Sequence, residues 1–79
     1  MIYRSHWEIE ISEHAYMKAD QRNITSDIIE ATVINGKIEK FGKNMMKFIC
    51  EYKRGQVVCV GEKKAENKIK IMTVEWKPL

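Results

Sequence analysis

Residues 45–61 read Met45-Met46-Lys47-Phe48-Ile49-Cys50-Glu51-Tyr52-Lys53-Arg54-Gly55-Gln56-Val57-Val58-Cys59-Val60-Gly61. Two β-rich runs, Met45 to Tyr52 and Gln56 to Gly61, flank Arg54-Gly55, which is the sequence form of a tight hairpin. The register of this hairpin sets which side chains share a face. If Arg54-Gly55 is the loop, paired positions sum to 109 and Cys50 stands directly opposite Cys59. Phe48, Tyr52 and Val57 then share their face. A four-residue loop from Lys64 to Asn67 adds Met72 and Val74 to it. The other face carries Ile49, Glu51, Val58, Val60, Ile71 and Thr73. That second face mixes core-like residues with polar ones, which predicts a shallow cleft. A register error of one residue would exchange the two faces.

Working outward, Lys37 to Phe41 is a further strand, Gly42-Lys43-Asn44 a turn, and Lys68 to Trp76 the last strand before Pro78. Upstream, Trp7-Glu8-Ile9-Glu10-Ile11 alternates apolar and acidic residues at the period of a half-buried strand. Ser12 then offers an N-cap, and Glu13 to about Gln21 lacks any helix breaker. Asn23 closes that helix and Ile24 folds back onto it. Thr25-Ser26-Asp27 caps a second helix, Asp27 to Ile34, which Asn35-Gly36 ends through the left-handed conformation that glycine allows. The order β-α-α-β-β-β-β predicts an α+β fold: two N-terminal helices packed on a four- to five-stranded antiparallel sheet, in one small domain spanning 1–79.

Composition narrows the class. Of 79 residues, 44% are hydrophobic and 32% charged, with one proline and four glycines, the balance of a globular chain without linkers. No apolar run approaches the roughly 20 residues of a membrane-crossing helix. His6, Glu8 and Glu10 occupy the place of a signal peptide's apolar core, so a cytoplasmic location is expected. Fourteen basic against eleven acidic side chains leave a net charge of +3, which permits an anionic partner without requiring one.

Chemistry concentrates on the first helix. His14, Lys18 and Arg22 recur at i, i+4 and i+8, forming one stripe that rises about 6 Å per step. An imidazole that transfers a proton near neutral pH, followed by two cations that neutralise phosphate charge, suits a phosphodiester. A solvated basic face is the other reading of the same stripe. His6, His14, Cys50 and Cys59 lack the close spacing of a zinc site, and no metal or cofactor is expected. The two cysteines read as buried thiols of a reducing compartment, with a cross-strand disulfide as the alternative. Met17, Met45, Met46 and Met72 read as core fillers. The lysines at 37, 40, 43 and 47, and at 63, 64, 68 and 70, form a nucleic-acid footprint if they and the helical stripe lie on one side.

The pattern Ile11-Ser12-Glu13-His14-Ala15, then Lys18, Arg22-Asn23-Ile24-Thr25-Ser26-Asp27-Ile28, Asn35-Gly36 and Ile71-Met72-Thr73-Val74 resembles the domain of unknown function 4258 family. The resemblance runs from about Ile9 to Trp76. It implies a fold like that of the RelE, barnase and colicin-type (BECR) toxin ribonucleases, which cut RNA without metal and are often held by an antitoxin. By that resemblance His14, Arg22 and Thr73 match the family's characteristic polar positions. Lys18 stands where an arginine is usual, keeping the charge without the bidentate fork, and Asn23 replaces a glycine.

The expected function is therefore a metal-independent endoribonuclease of toxin type, or a degenerate relative. His14 is its general acid/base, Arg22 a phosphate clamp and Thr73 a hydroxyl donor, with Lys18 and Glu51 contacting substrate. RNA, and an antitoxin or other acidic protein, are the expected partners, with no membrane. The alternatives are a non-catalytic module that binds nucleic acid or protein through the same charges, and a small adaptor that pairs through its sheet edge. Catalysis requires His14 and Arg22 to face Thr73 across one concave surface.

Overall fold

A computed structural model describes residues 2–78. Two short strands, β1 (Ile2–Arg4) and β2 (Trp7–Ile11), precede the helices α1 (Glu13–Gln21) and α2 (Ser26–Asn35). Four strands follow: β3 (Lys37–Phe41), β4 (Met45–Tyr52), β5 (Gly55–Ala65) and β6 (Lys68–Lys77). All six form one sheet, in the order β1-β2-β6-β5-β4-β3.

This corrects the expected architecture. The sheet has six strands, curls as a half-barrel and outweighs the helices, and it is mixed, because β2 pairs with β6 in parallel, Ile9 opposite Ile69 and Ile11 opposite Ile71. The helices carry the chain from β2 to the far edge at β3. The antiparallel run β3-β4-β5-β6 then returns it to β2, pointing the same way. Strand β1 escaped the sequence reading for a local reason. It is three residues long, and its hairpin with β2 turns at Ser5, which takes φ 56° without the glycine or asparagine that usually marks a turn.

The helix ends follow the sequence closely at three of four points. Ser12 accepts a hydrogen bond from the Ala15 amide at 3.0 Å, and Thr25 from the Ile28 amide at 3.4 Å. At the other end of α1, Asn23 adopts φ 58°, the Asn23 amide donates to Asp20 at 3.1 Å and the Ile24 amide to Ala19 at 2.8 Å. That is a Schellman closure, and it buries Ile24. The exception is Gly36, which sits in extended backbone at φ −69° rather than the left-handed region. Glycine is needed there for space: a Cβ would lie 2.4 Å from the Thr32 carbonyl oxygen and 2.9 Å from that of Ile49.

Both helices lie on one face of the sheet, α1 over β6 and α2 over β4, β5 and β1. Ala15, Ala19, Ile24, Ile29 and Val33 meet Ile9, Phe48, Val57, Cys59, Ile69, Ile71 and Val74 in one buried core. At about 25 cal/mol per Å² of apolar area removed from water, such clusters carry most of a small domain's stability.

The hairpin register differs from the expected one by two positions. Tyr52 pairs with Gly55, so Lys53-Arg54 is the loop, Cys50 faces Val57 and Cys59 faces Phe48. A shift of two preserves which face each side chain takes, so Phe48, Cys50, Tyr52, Val57 and Cys59 do share a face. In β6 the alternation breaks. Val60 pairs with Thr73 but Gly61 with Ile71, leaving Met72 as an extra residue. This bulge turns Ile71 into the core at 0% exposure and puts Met72 outside at 36%, the reverse of the sequence expectation.

Candidate functional site

Alternation along the strands sorts the polar side chains onto two sides of the sheet. On the face without helices, ladder partners run Lys37, Ile49, Val58, Glu75 in one row and Glu39, Lys47, Val60, Thr73 in the next. A third row holds Glu51, Gln56 and Lys77. An open cleft of about 450 Å³ lies here, floored by Ile49 and Val58 and rimmed by Lys37, Lys47, Lys77, Glu39 and Glu51. Val58 is 1% exposed although no helix covers it.

The charges of this cleft are unevenly compensated. Lys37 Nζ lies 3.9 Å from Glu39 Oε2, a weak exposed pair. The other ion pair among the described residues joins Lys64 to Glu62 at 2.6 Å, so Lys47 and Lys77 take part in neither. The Lys47 ammonium instead sits 5.2 Å from the centre of the Phe41 ring, which is 40% exposed at the sheet edge. An aromatic ring beside a cation is a pairing that can stack bases and hold phosphates, although Glu39 and Glu51 offset part of the positive charge here.

The sequence-predicted residues are divided between the two sides. His14 is exposed in the first turn of α1, and Lys18 is half-buried one turn on. Arg22 ends the helix: its Nη1 donates to the Lys18 carbonyl at 3.2 Å, and its own carbonyl accepts from Trp76 Nε1 at 2.9 Å. That guanidinium caps the helix C-terminus, where carbonyls otherwise lack partners. Thr73, by contrast, projects from β6 on the helix-free face, beside Val60. The sheet therefore stands between Thr73 and the stripe His14, Lys18, Arg22, which project from opposite sides of it. Glu51 lines the cleft as expected of the second face, without His14 or Arg22 near it.

Other titratable groups serve the core. Cys50 and Cys59 are free thiols, the first half-buried and the second fully buried. Burial, with a smaller push from Cys50, raises the Cys59 thiol to about 12. Burial likewise raises Tyr52 above its usual value. Its hydroxyl lies 3.0 Å from Thr32 Oγ1, which donates to the Ile28 carbonyl at 2.7 Å. Among the described residues no three His, Cys, Asp or Glu side chains gather as a metal site, and no helix is long and apolar enough to cross a membrane.

Sequence reasoning had Lys37 and Lys47 only as members of a tract, and it omitted Lys77. The alternation signal was available: Lys47, Ile49 and Glu51 have odd numbers in one strand, and the hairpin parity fixes their partners. Residues 11–76 match a family described as a domain of unknown function (DUF4258). No curated protein and no solved structure matches the chain.

Proposed function

The chain belongs to the DUF4258 family, and we propose that this member binds RNA without cutting it, holding the phosphate backbone across the helix-free face of the sheet. The observation that carries this reading is the cleft in which Lys47 and Lys77 stand outside any ion pair among the described residues, over an apolar floor and beside the exposed Phe41 ring. A single strand of RNA offers both chemistries at once, anionic phosphates for the ammonium groups and flat bases for the ring. Binding alone is the better reading because proton transfer needs its groups on one phosphodiester. His14 is on the helix layer, and Thr73 is on the opposite face of the sheet.

The test is fluorescence anisotropy of a labelled single-stranded RNA titrated with protein at several salt concentrations, followed by a denaturing gel of the same RNA in the presence of chelator. Neutralising two or three phosphates gives a slope of log K against log salt of about −1.4 to −2.1, with the RNA left at full length. Shortened RNA would restore the nuclease reading. Salt-insensitive capture of a protein, with no RNA bound, would favour the adaptor.

A further inference from the structure

On the helix side of the sheet, Trp7 stands between two small depressions at the end nearest the β3–β4 turn. One, of about 160 Å³, runs from Trp7 to the turn and carries Lys40, Lys43 and Lys63. The other, of about 70 Å³, lies between Trp7, Ile38 and Phe48 with Arg4 at its side. Among the described residues, no helix residue and no carboxylate lines either one. This separates them from the cleft on the other face, where Glu39 and Glu51 sit among the lysines.

The cations are held by the fold rather than scattered along it. Lys40 pairs with the buried Met46 and Lys63 with the buried Ile69, so both strands deliver their lysine to the same side. Lys43 comes from the turn, which Gly42 closes at φ 60°. The Lys63 amide donates to the Asn44 carbonyl at 2.7 Å, fixing the turn against β5. None of the three lysines is in an ion pair among the described residues. Trp7 is half-buried, and its ring is braced edge-on by His6, with centroids 5.5 Å apart.

We propose that this corner is a nucleoside phosphate site, with the phosphate among Lys40, Lys43 and Lys63 and the base against the indole of Trp7. Three ammonium groups, with no carboxylate among the described lining residues, more than offset the two charges of a phosphate dianion. The indole supplies a flat apolar surface for a base at one side of those cations. The ligand is either a free mononucleotide or the phosphorylated end of an RNA strand, since both present the same chemistry. The site does not depend on RNA crossing the other face, because the two surfaces share no side chain named in either role.

The test uses the whole chain and intrinsic fluorescence. The protein has two tryptophans, so the signal of Trp7 is taken as the difference between wild type and Trp7→Phe. Adenosine 5′-monophosphate at low salt should quench that difference signal saturably. Adenosine should do so at least about tenfold more weakly, and inorganic phosphate should compete without quenching. Lys43→Glu, at an exposed turn position, should weaken the monophosphate about tenfold or more while leaving RNA binding at the Lys47 face within about twofold to threefold. Calorimetry on the wild type repeats the titration without relying on either tryptophan. An RNA oligonucleotide with and without a 5′-phosphate separates the sources: quenching by the phosphorylated oligonucleotide alone assigns the site to strand ends. The proposal is overturned if neither the mononucleotide nor the phosphorylated oligonucleotide binds saturably, or if Lys43→Glu binds them as wild type does.

Discussion

Arg4 Nη1 donates to the carbonyl of Gly36 at 2.7 Å and to that of Val33 at 3.0 Å. One guanidinium thereby joins the first strand to the end of α2, and it lies 5.9 Å from the centre of the buried Phe48 ring. The C-terminal carbonyls of a helix carry partial negative charge and need donors. No basic side chain lies in the last turn of α2 itself. Arg4 takes that place from a distance of 32 residues.

Arg4→Ala should therefore destabilise the domain by about 2 kcal/mol, the usual effect of losing charge-assisted bonds at a partly buried site. Arg4→Lys should recover only part of this, because an ammonium lacks the planar fork. Chemical denaturation of the three proteins measures it.

Gly36→Ala should cost at least about 2 kcal/mol although its φ is ordinary, because the added methyl meets backbone on two sides. Gly42→Ala meets nothing closer than 3.9 Å and is strained only through its φ of 60°, so it should cost about 1 kcal/mol. If the order of the two were reversed, the close approach of α2 to β4 would be wrong.

The contrast between these glycines shows what could be read in advance. Local signals did well: Ser12, Asn23 and Thr25 act as their side chains dictate, and the strands of the 45–61 hairpin lie where their composition puts them. Non-local geometry did less well. The parallel pairing of β2 with β6 depends on where two helices deposit β3, which no local window contains. The Met72 bulge exchanges Ile71 and Met72 because one unpaired residue resets alternation, and Ile-Met-Thr-Val gives no sign of it. The candidate site depends on the same non-local geometry. His14 and Thr73 both lie within the matched residues 11–76, but residue types and spacings do not carry the face of the sheet.

Raising the pH should destabilise the protein between about 9 and 12. The Cys59 thiol titrates near 12 folded against 9.0 in the open chain, so above pH 9 the unfolded state has lost a proton that the native state keeps. This contribution is intact below pH 9 and is lost as pH rises, by about 1.4 kcal/mol for the first full unit. Tyr52, raised in the same direction, adds to it. Cys59→Val should show a shallower fall than wild type when unfolding is followed at pH 8, 9 and 10.

Thiol labelling at pH 8 should modify Cys50 promptly and Cys59 only after denaturant is added, since the buried thiol is almost wholly protonated. Mild oxidation should give no intramolecular disulfide. Cys50 faces Val57 and Cys59 faces Phe48, and diagonal neighbours lie about 7–8 Å apart, too far for an unstrained bridge. Mass spectrometry of the labelled and oxidised protein checks both.

The central claim is that the helix-free face, and not the α1 stripe, holds RNA. The most direct measurement compares the affinity of Lys47→Glu and Lys18→Glu for the same labelled single-stranded RNA at one low salt concentration. The two substitutions change net charge equally, so long-range attraction falls by the same amount in both. Lys47→Glu should weaken binding about tenfold or more, with Lys18→Glu within about twofold to threefold of wild type. The reverse order, Lys18→Glu crippled and Lys47→Glu intact, would contradict the account and return the binding site to the helix.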